Sequence, residues 1–155
     1  MARHLIGLLT SALIPSFVLL GTTGPAHAEI GEHTIKFASQ NQKGHPQVTG
    51  MEKFEEIVEE KSDGNISVRL FPGGTLGGDV QTISALQGGT LEMSVMNAGL
   101  LSGNVPDFVV VDFPFLFDSP EQAATVMDGP VGEALAAKLP EKGLVGLGYW
   151  ELGFR

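Results

Sequence analysis

The chain has 155 residues, a formal net charge of −9 and no cysteine. That length supports one domain of ordinary size, and 43% hydrophobic residues supply a core. The acidic balance excludes nucleic acid and anionic membrane surfaces as partners, which require clustered Lys and Arg; the missing cysteines exclude disulfide scaffolds and thiolate metal sites.

The chain opens with a basic start at Arg3 and His4, an apolar run over Leu5–Leu20, and small residues two apart in Pro25-Ala26-His27-Ala28. This is the layout of a secretory signal peptide over residues 1–28, too short in its apolar part to span a membrane. It predicts an exported product, the periplasm being its destination. Thr34–Ala38 then reads as a strand with Ile35 and Phe37 on one face. From Pro46 to Lys61, Val48, Met51, Phe54, Ile57 and Val58 recur at helical spacing, with Glu52, Glu55, Glu56, Glu59 and Glu60 on a solvated acidic face. Proline suits the first turn of such a helix.

Ile66–Phe71 alternates as a strand, and Pro72-Gly73-Gly74 stops it. A helix follows with Asp79 as its expected N-cap, carrying Val80, Ile83 and Leu86 to Gly88-Gly89. Leu91, Met93 and Val95 alternate in the next strand, and Val109-Val110-Val111 predicts a further strand buried on both faces. Ser119-Pro120-Glu121-Gln122 is a capping box that opens a helix ending near Gly129. Pro130–Leu139 predicts another, with Val131, Leu135 and Leu139 four apart, and Leu144–Phe154 predicts a last strand. Strands separated by helices imply an α/β fold with a mainly parallel sheet and no internal linker, so residues 29–155 form one unit. The chain stops inside this last strand-like segment, at Phe154-Arg155, so a truncated product is expected.

Sites of chemistry are few. Gly73–Asp79, GGTLGGD, lacks both the Gly-Lys-Ser/Thr ending of a phosphate loop and the GxGxxG spacing, and Asp79 would repel a phosphate. It reads as a tight turn at a helix start, although loops at the carboxyl ends of strands also line the crevice of open α/β sheets. His33 and His45 flank the first strand without the spacing of metal ligands, so no metal is expected. No Gly-x-Ser-x-Gly elbow is present, and the paired glutamates lie on a wet helix face, so no catalytic group is assigned.

Four stretches in order resemble the substrate-binding subunit of TRAP transporters, the dicarboxylate-binding (DctP-like) periplasmic family. They are Ile35–Ala38 with the helix ending at Lys61-Ser62-Asp63-Gly64; Val68–Asp79; Leu86–Met93 followed by Phe113-Pro114-Phe115-Leu116-Phe117; and Gly148–Arg155. The resemblance implies a two-lobed clamshell of the periplasmic-binding-protein type, of which residues 29–155 are mainly the first lobe, cut at the crossover towards the second. It implies capture of a small organic acid (a dicarboxylate, 2-oxo acid or sugar acid) and delivery to TRAP membrane subunits, without cofactor or catalysis. It also implies ligand contacts at Gln40, Asn41, Asp79, Asn97, Trp150, Glu151 and Arg155, the last as a guanidinium facing a carboxylate. The family's second arginine, in a Lys-x-Arg segment, has no counterpart before the chain stops. A competing expectation is a secreted α/β enzyme, such as a hydrolase, truncated before its catalytic residues.

Overall fold

The computed structural model describes residues 31–151; the expected signal peptide and Arg155 lie outside them. Three parallel strands form one sheet in the order β2-β1-β3: β1 His33–Ser39, β2 Ile66–Phe71 and β3 Met93–Val95. Helix α1, Pro46–Lys61, connects β1 to β2, and α2, Asp79–Gln87, connects β2 to β3. Ile35 pairs with Val68, Phe37 with both Leu70 and Met93, and Ser39 with Val95. Right-handed crossovers to the two sides of β1 place α1 and α2 on opposite faces of the sheet.

Each face has its own core. On the α1 face Phe37, Val48, Met51 and Val68 are buried, with Phe54 edge-on to Phe37 at 5.5 Å. On the other, Ile83 of α2 packs with Val105, Phe108, Leu135, Leu139 and Leu144. Pro46 opens α1 as expected, but its cap is His45, whose Nδ1 accepts from the Gln47 amide at 3.2 Å. His45 therefore serves as a helix cap. Glu59 also departs from the wet face: its carboxylate accepts from the Val68 amide at 3.1 Å and closes part of the outer edge of β2.

Four expectations are corrected. Val109–Val111 is not a strand but part of a 3₁₀ segment, Pro106–Asp112, whose turns show in bonds from Phe108 N to Val105 O and from Phe113 N to Val110 O. Three consecutive apolar residues suit any period; Pro106 at the first position and the burial of Phe108, three residues past Val105, select a helical one. Leu144–Glu151 forms no regular element and pairs with no strand among the described residues, and Val145 and Leu147 are three-quarters exposed. Alternation encodes a strand only where a neighbour supplies the ladder. Helix α4, Pro130–Ala136, stops short of Leu139, and a 3₁₀ turn at Pro140–Lys142 follows. Asp79 is the first residue of α2, whose N-cap is Gly78 with no side-chain bond.

Helix α3, Pro120–Met127, has the expected box: Ser119 Oγ accepts from Gln122 N at 3.2 Å, although Gln122 Oε1 accepts from Asp118 N, one residue earlier than the motif requires. Tyr149 joins the second core and donates its hydroxyl to Gly132 O at 2.9 Å; burial raises its pKa.

Candidate functional site

The loops that leave the carboxyl ends of β1 and β3 diverge. The chain after β1 turns into α1 on one face, and the chain after β3 turns into the 3₁₀ segment Ala98–Gly103, packed on the other core. Neighbouring strands whose connections leave to opposite faces create a crevice between them, where ligands settle in open α/β sheets. Ser39 pairs with Val95, so Gln40 and Asn41 lie beside Asn97 across this gap.

These side chains are held by specific bonds. Gln40 Nε2 donates to Gly77 O at 3.0 Å and reaches Thr82 Oγ1 at 3.5 Å, tying the end of β1 to the start of α2. Asn41 Nδ2 donates to Oε1 of the buried Gln47. The Asn41 amide donates to Ser39 Oγ at 3.1 Å. The glycine turn after β2 docks on the same loop: Gly73 N donates to Asn41 O at 2.8 Å and Gly74 N to Ser39 O at 3.0 Å. Both glycines have φ near +70°, and a Cβ on either would meet the amide of Gln42 or Gln40 within 2.7 Å. The turn thus requires glycine for conformation and for close approach at once.

Asn97 is the N-cap of its 3₁₀ segment, its Oδ1 accepting from Gly99 N at 3.0 Å. Asp79, half-buried in the first turn of α2, follows the glycine turn that Gln40 holds. The only described cation in this loop region is Lys43, highly exposed and 4.0 Å from Glu52.

Gln40, Asn41, Asp79 and Asn97 are therefore gathered at one end of the sheet. Trp150 lies against the α1 face, its ring edge-on to Phe37 at 6.1 Å and against Gly50, where a Cβ would come within 3.0 Å. Tyr149 and Trp150 thus divide between the two cores at consecutive positions. Glu151 is exposed, and Arg155 lies outside the described residues. The supporting polar residues Ser39, Gln47 and Thr82, all buried, carry no sequence signal, because each stands among other polar residues (Gln40 and Asn41, His45 and Thr49, Gln81 and Ser84) that are not buried. Two shallow concavities lie elsewhere: about 340 Å³ beside Val131 and Lys138, and about 290 Å³ at the amino ends of the strands. Among the described residues no group of His, Cys, Asp or Glu is placed to hold a metal, and no helix is long and apolar enough to cross a membrane.

Fixed amides and a carboxylate around the carboxyl end of a parallel sheet offer hydrogen bonds at the place where open α/β sheets take small molecules. Residues 37–155 match the model of bacterial extracellular solute-binding protein family 7, DctP, and the chain belongs to that family. The C4-dicarboxylate-binding periplasmic protein DctP of Rhodobacter capsulatus is 34% identical over 158 residues, covering 100% of this chain and 45% of that protein. A TRAP periplasmic solute-binding protein of Ochrobactrum anthropi, crystallised with its C-terminus bound in the ligand-binding pocket, is 65% identical with a TM-score of 0.80 over 81% of this chain and 39% of its own. The sugar acid binding protein DctPAm of Advenella mimigardefordensis, in complex with galactonate, is 41% identical with a TM-score of 0.79 over 81% and 40%. The chain thus spans about two-fifths of the length of these relatives and has the fold of one lobe of a two-lobed α/β protein. The family is one of solute-binding proteins, which favours binding over the hydrolase expectation.

Proposed function

We propose that the full-length protein captures a small organic acid outside the cytoplasm and delivers it to TRAP-type membrane subunits, without bond-making chemistry or a cofactor. The observation that carries this reading is the polar end of the sheet, where Gln40, Asn41, Asp79 and Asn97 surround the crevice of a chain whose family binds solutes. A single lobe offers one wall and encloses no volume, so a closed site needs a second wall across the crevice. In this reading residues 1–28 are the export signal and residues 29–155 the first lobe. Trp150, packed on Phe37 and Gly50, and the exposed Glu151 flank the segment that carries Arg155 to the ligand carboxylate.

Relatives support an acidic ligand. Their bound molecules include D-glucuronate in a protein of Citrobacter koseri and succinate in one of Sulfurospirillum deleyianum. The test is isothermal titration of the full-length protein with dicarboxylates, 2-oxo acids and sugar acids. Saturable binding of at least one is expected, with Arg155→Ala weakening it at least about tenfold, ~1.4 kcal/mol. Absence of binding across all three classes would refute the reading.

A further inference from the structure

Resting on the reading of this lobe as one wall of an organic-acid site, we propose that Tyr149 and Trp150 are positioning residues. They form a two-sided clamp, seated on glycines of α4 and α1, that fixes the segment carrying Arg155 where the chain leaves the lobe. The basis is that two consecutive aromatic side chains enter opposite cores. Trp150 stands edge-on to Phe37 on the α1 face, with 6.1 Å between ring centres. Tyr149 packs in the other core and donates its hydroxyl to Gly132 O at 2.9 Å. Leu144–Glu151 pairs with no strand among the described residues, so no ladder holds this stretch in place. Its placement falls to side chains, and a grip on both faces opposes sliding and twisting alike.

Gly50 shows how the α1 side of the clamp is built. It lies inside α1, where glycine is the poorest helix former after proline. Its φ is not left-handed, so its conformation does not call for glycine. The indole does: the three atoms nearest a Cβ at this position, at 3.0, 3.5 and 3.6 Å, all belong to Trp150. Gly132 makes the matching seat for Tyr149, whose Cε2 would stand 2.8 Å from a Cβ, although Met127 O crowds that position as well. Gly50 also lies three residues beyond the buried Gln47, on the same helix face, and Gln47 Oε1 holds Asn41. The indole therefore abuts the stretch of α1 that supports the crevice amide, and the chain departs beside the site, five residues before Arg155. A guanidinium grips a carboxylate only in a set geometry, and an anchored backbone supplies that geometry in advance.

The experiment is isothermal titration of the full-length protein, with the tightest-binding of galactonate, D-glucuronate and succinate as the probe. Trp150→Ala is expected to weaken the probe at least about tenfold in the parent, but less than about twofold in an Arg155→Ala background, because the two residues act as one unit. Gly50→Ala puts a methyl group against the indole within a better helix former. It is expected to weaken the probe about threefold or more without lowering the melting temperature. Combined with Trp150→Phe, whose smaller ring makes room, Gly50→Ala is expected to bind within about twofold of Trp150→Phe alone. Gly50→Ala decides the matter should Trp150→Ala not fold. Equal losses from Trp150→Ala in both backgrounds would mean direct ligand contact or general loosening, and would overturn the clamp. So would a Gly50→Ala protein that binds like the parent. In both cases acid binding by the parent leaves the organic-acid reading intact, whereas no binding of any acid by the parent would remove both.

Discussion

Replacing Gly74 by alanine tests whether the glycine turn and Gln40 form one unit. Gly74 has φ +67°, and an added Cβ would lie 2.6 Å from Gln40 Oε1. Gly89 has φ +68°, yet a Cβ there meets nothing within 4 Å. The left-handed conformation costs an alanine roughly 1–2 kcal/mol at either position, and the change in unfolded-chain entropy is common to both. Only Gly74→Ala must also move Gln40, whose Nε2 bond to Gly77 O is 3.0 Å long. Losing that bond adds about 0.5–1.5 kcal/mol. Urea unfolding of the full-length protein should therefore show Gly74→Ala less stable than Gly89→Ala by about 1 kcal/mol. In a Gln40→Ala background the difference should vanish. Equal penalties at the two glycines in the native background would refute the coupling between turn and glutamine.

Three further changes probe the lobe. Met51→Ala removes a fully buried side chain between α1 and the sheet and is expected to cost about 2–5 kcal/mol in denaturant melts. Ser119→Ala, which deletes the cap accepting from Gln122 N, should cost about 1 kcal/mol by the same measurement. Tyr149→Phe removes the hydroxyl bonded to Gly132 O, at a cost of about 1 kcal/mol at neutral pH. Burial raises the pKa of Tyr149, so the folded protein holds the phenol proton where the unfolded chain has released it. That contribution is complete below the unfolded tyrosine value of about 10 and is lost as pH rises through the folded one. The phenylalanine variant should melt with a shallower alkaline decline than the parent.

Much of the frame was legible because its signals are local. Val48 and Met51 on one stripe, Pro46 in the first turn and the alternation of Val68 and Leu70 give α1 and β2 their observed bounds. What failed depended on how side chains turn in the fold, which spacing does not encode. His45 caps α1 only because the loop returns its ring to the Gln47 amide, and Glu59 leaves the solvated face because the edge of β2 lies beneath it. Val80, listed with Ile83 and Leu86 along α2, is 74% exposed while Ile83 is buried, since the first turn of the helix directs it outward. Gln40, Asn41, Asp79 and Asn97 were expected as site positions through the family resemblance, and the fold gathers them at one end of the sheet. Which of their atoms are already engaged was not legible, because that depends on Gly77, Gln47 and Gly99 as they stand in the fold.

The last distinction matters most for function. Composition makes this chain acidic, and an acidic protein is an unpromising receptor for an anion if only its overall field is considered. Any anion site must therefore be local. An amide side chain is ambiguous in sequence, being donor and acceptor together, and its orientation is set by the fold. Gly77 O engages the nitrogen of Gln40, and Gly99 N engages the oxygen of Asn97. The same functional group is thus turned opposite ways at the ends of β1 and β3, and each amide keeps a second hydrogen or lone pair beyond the bond that orients it.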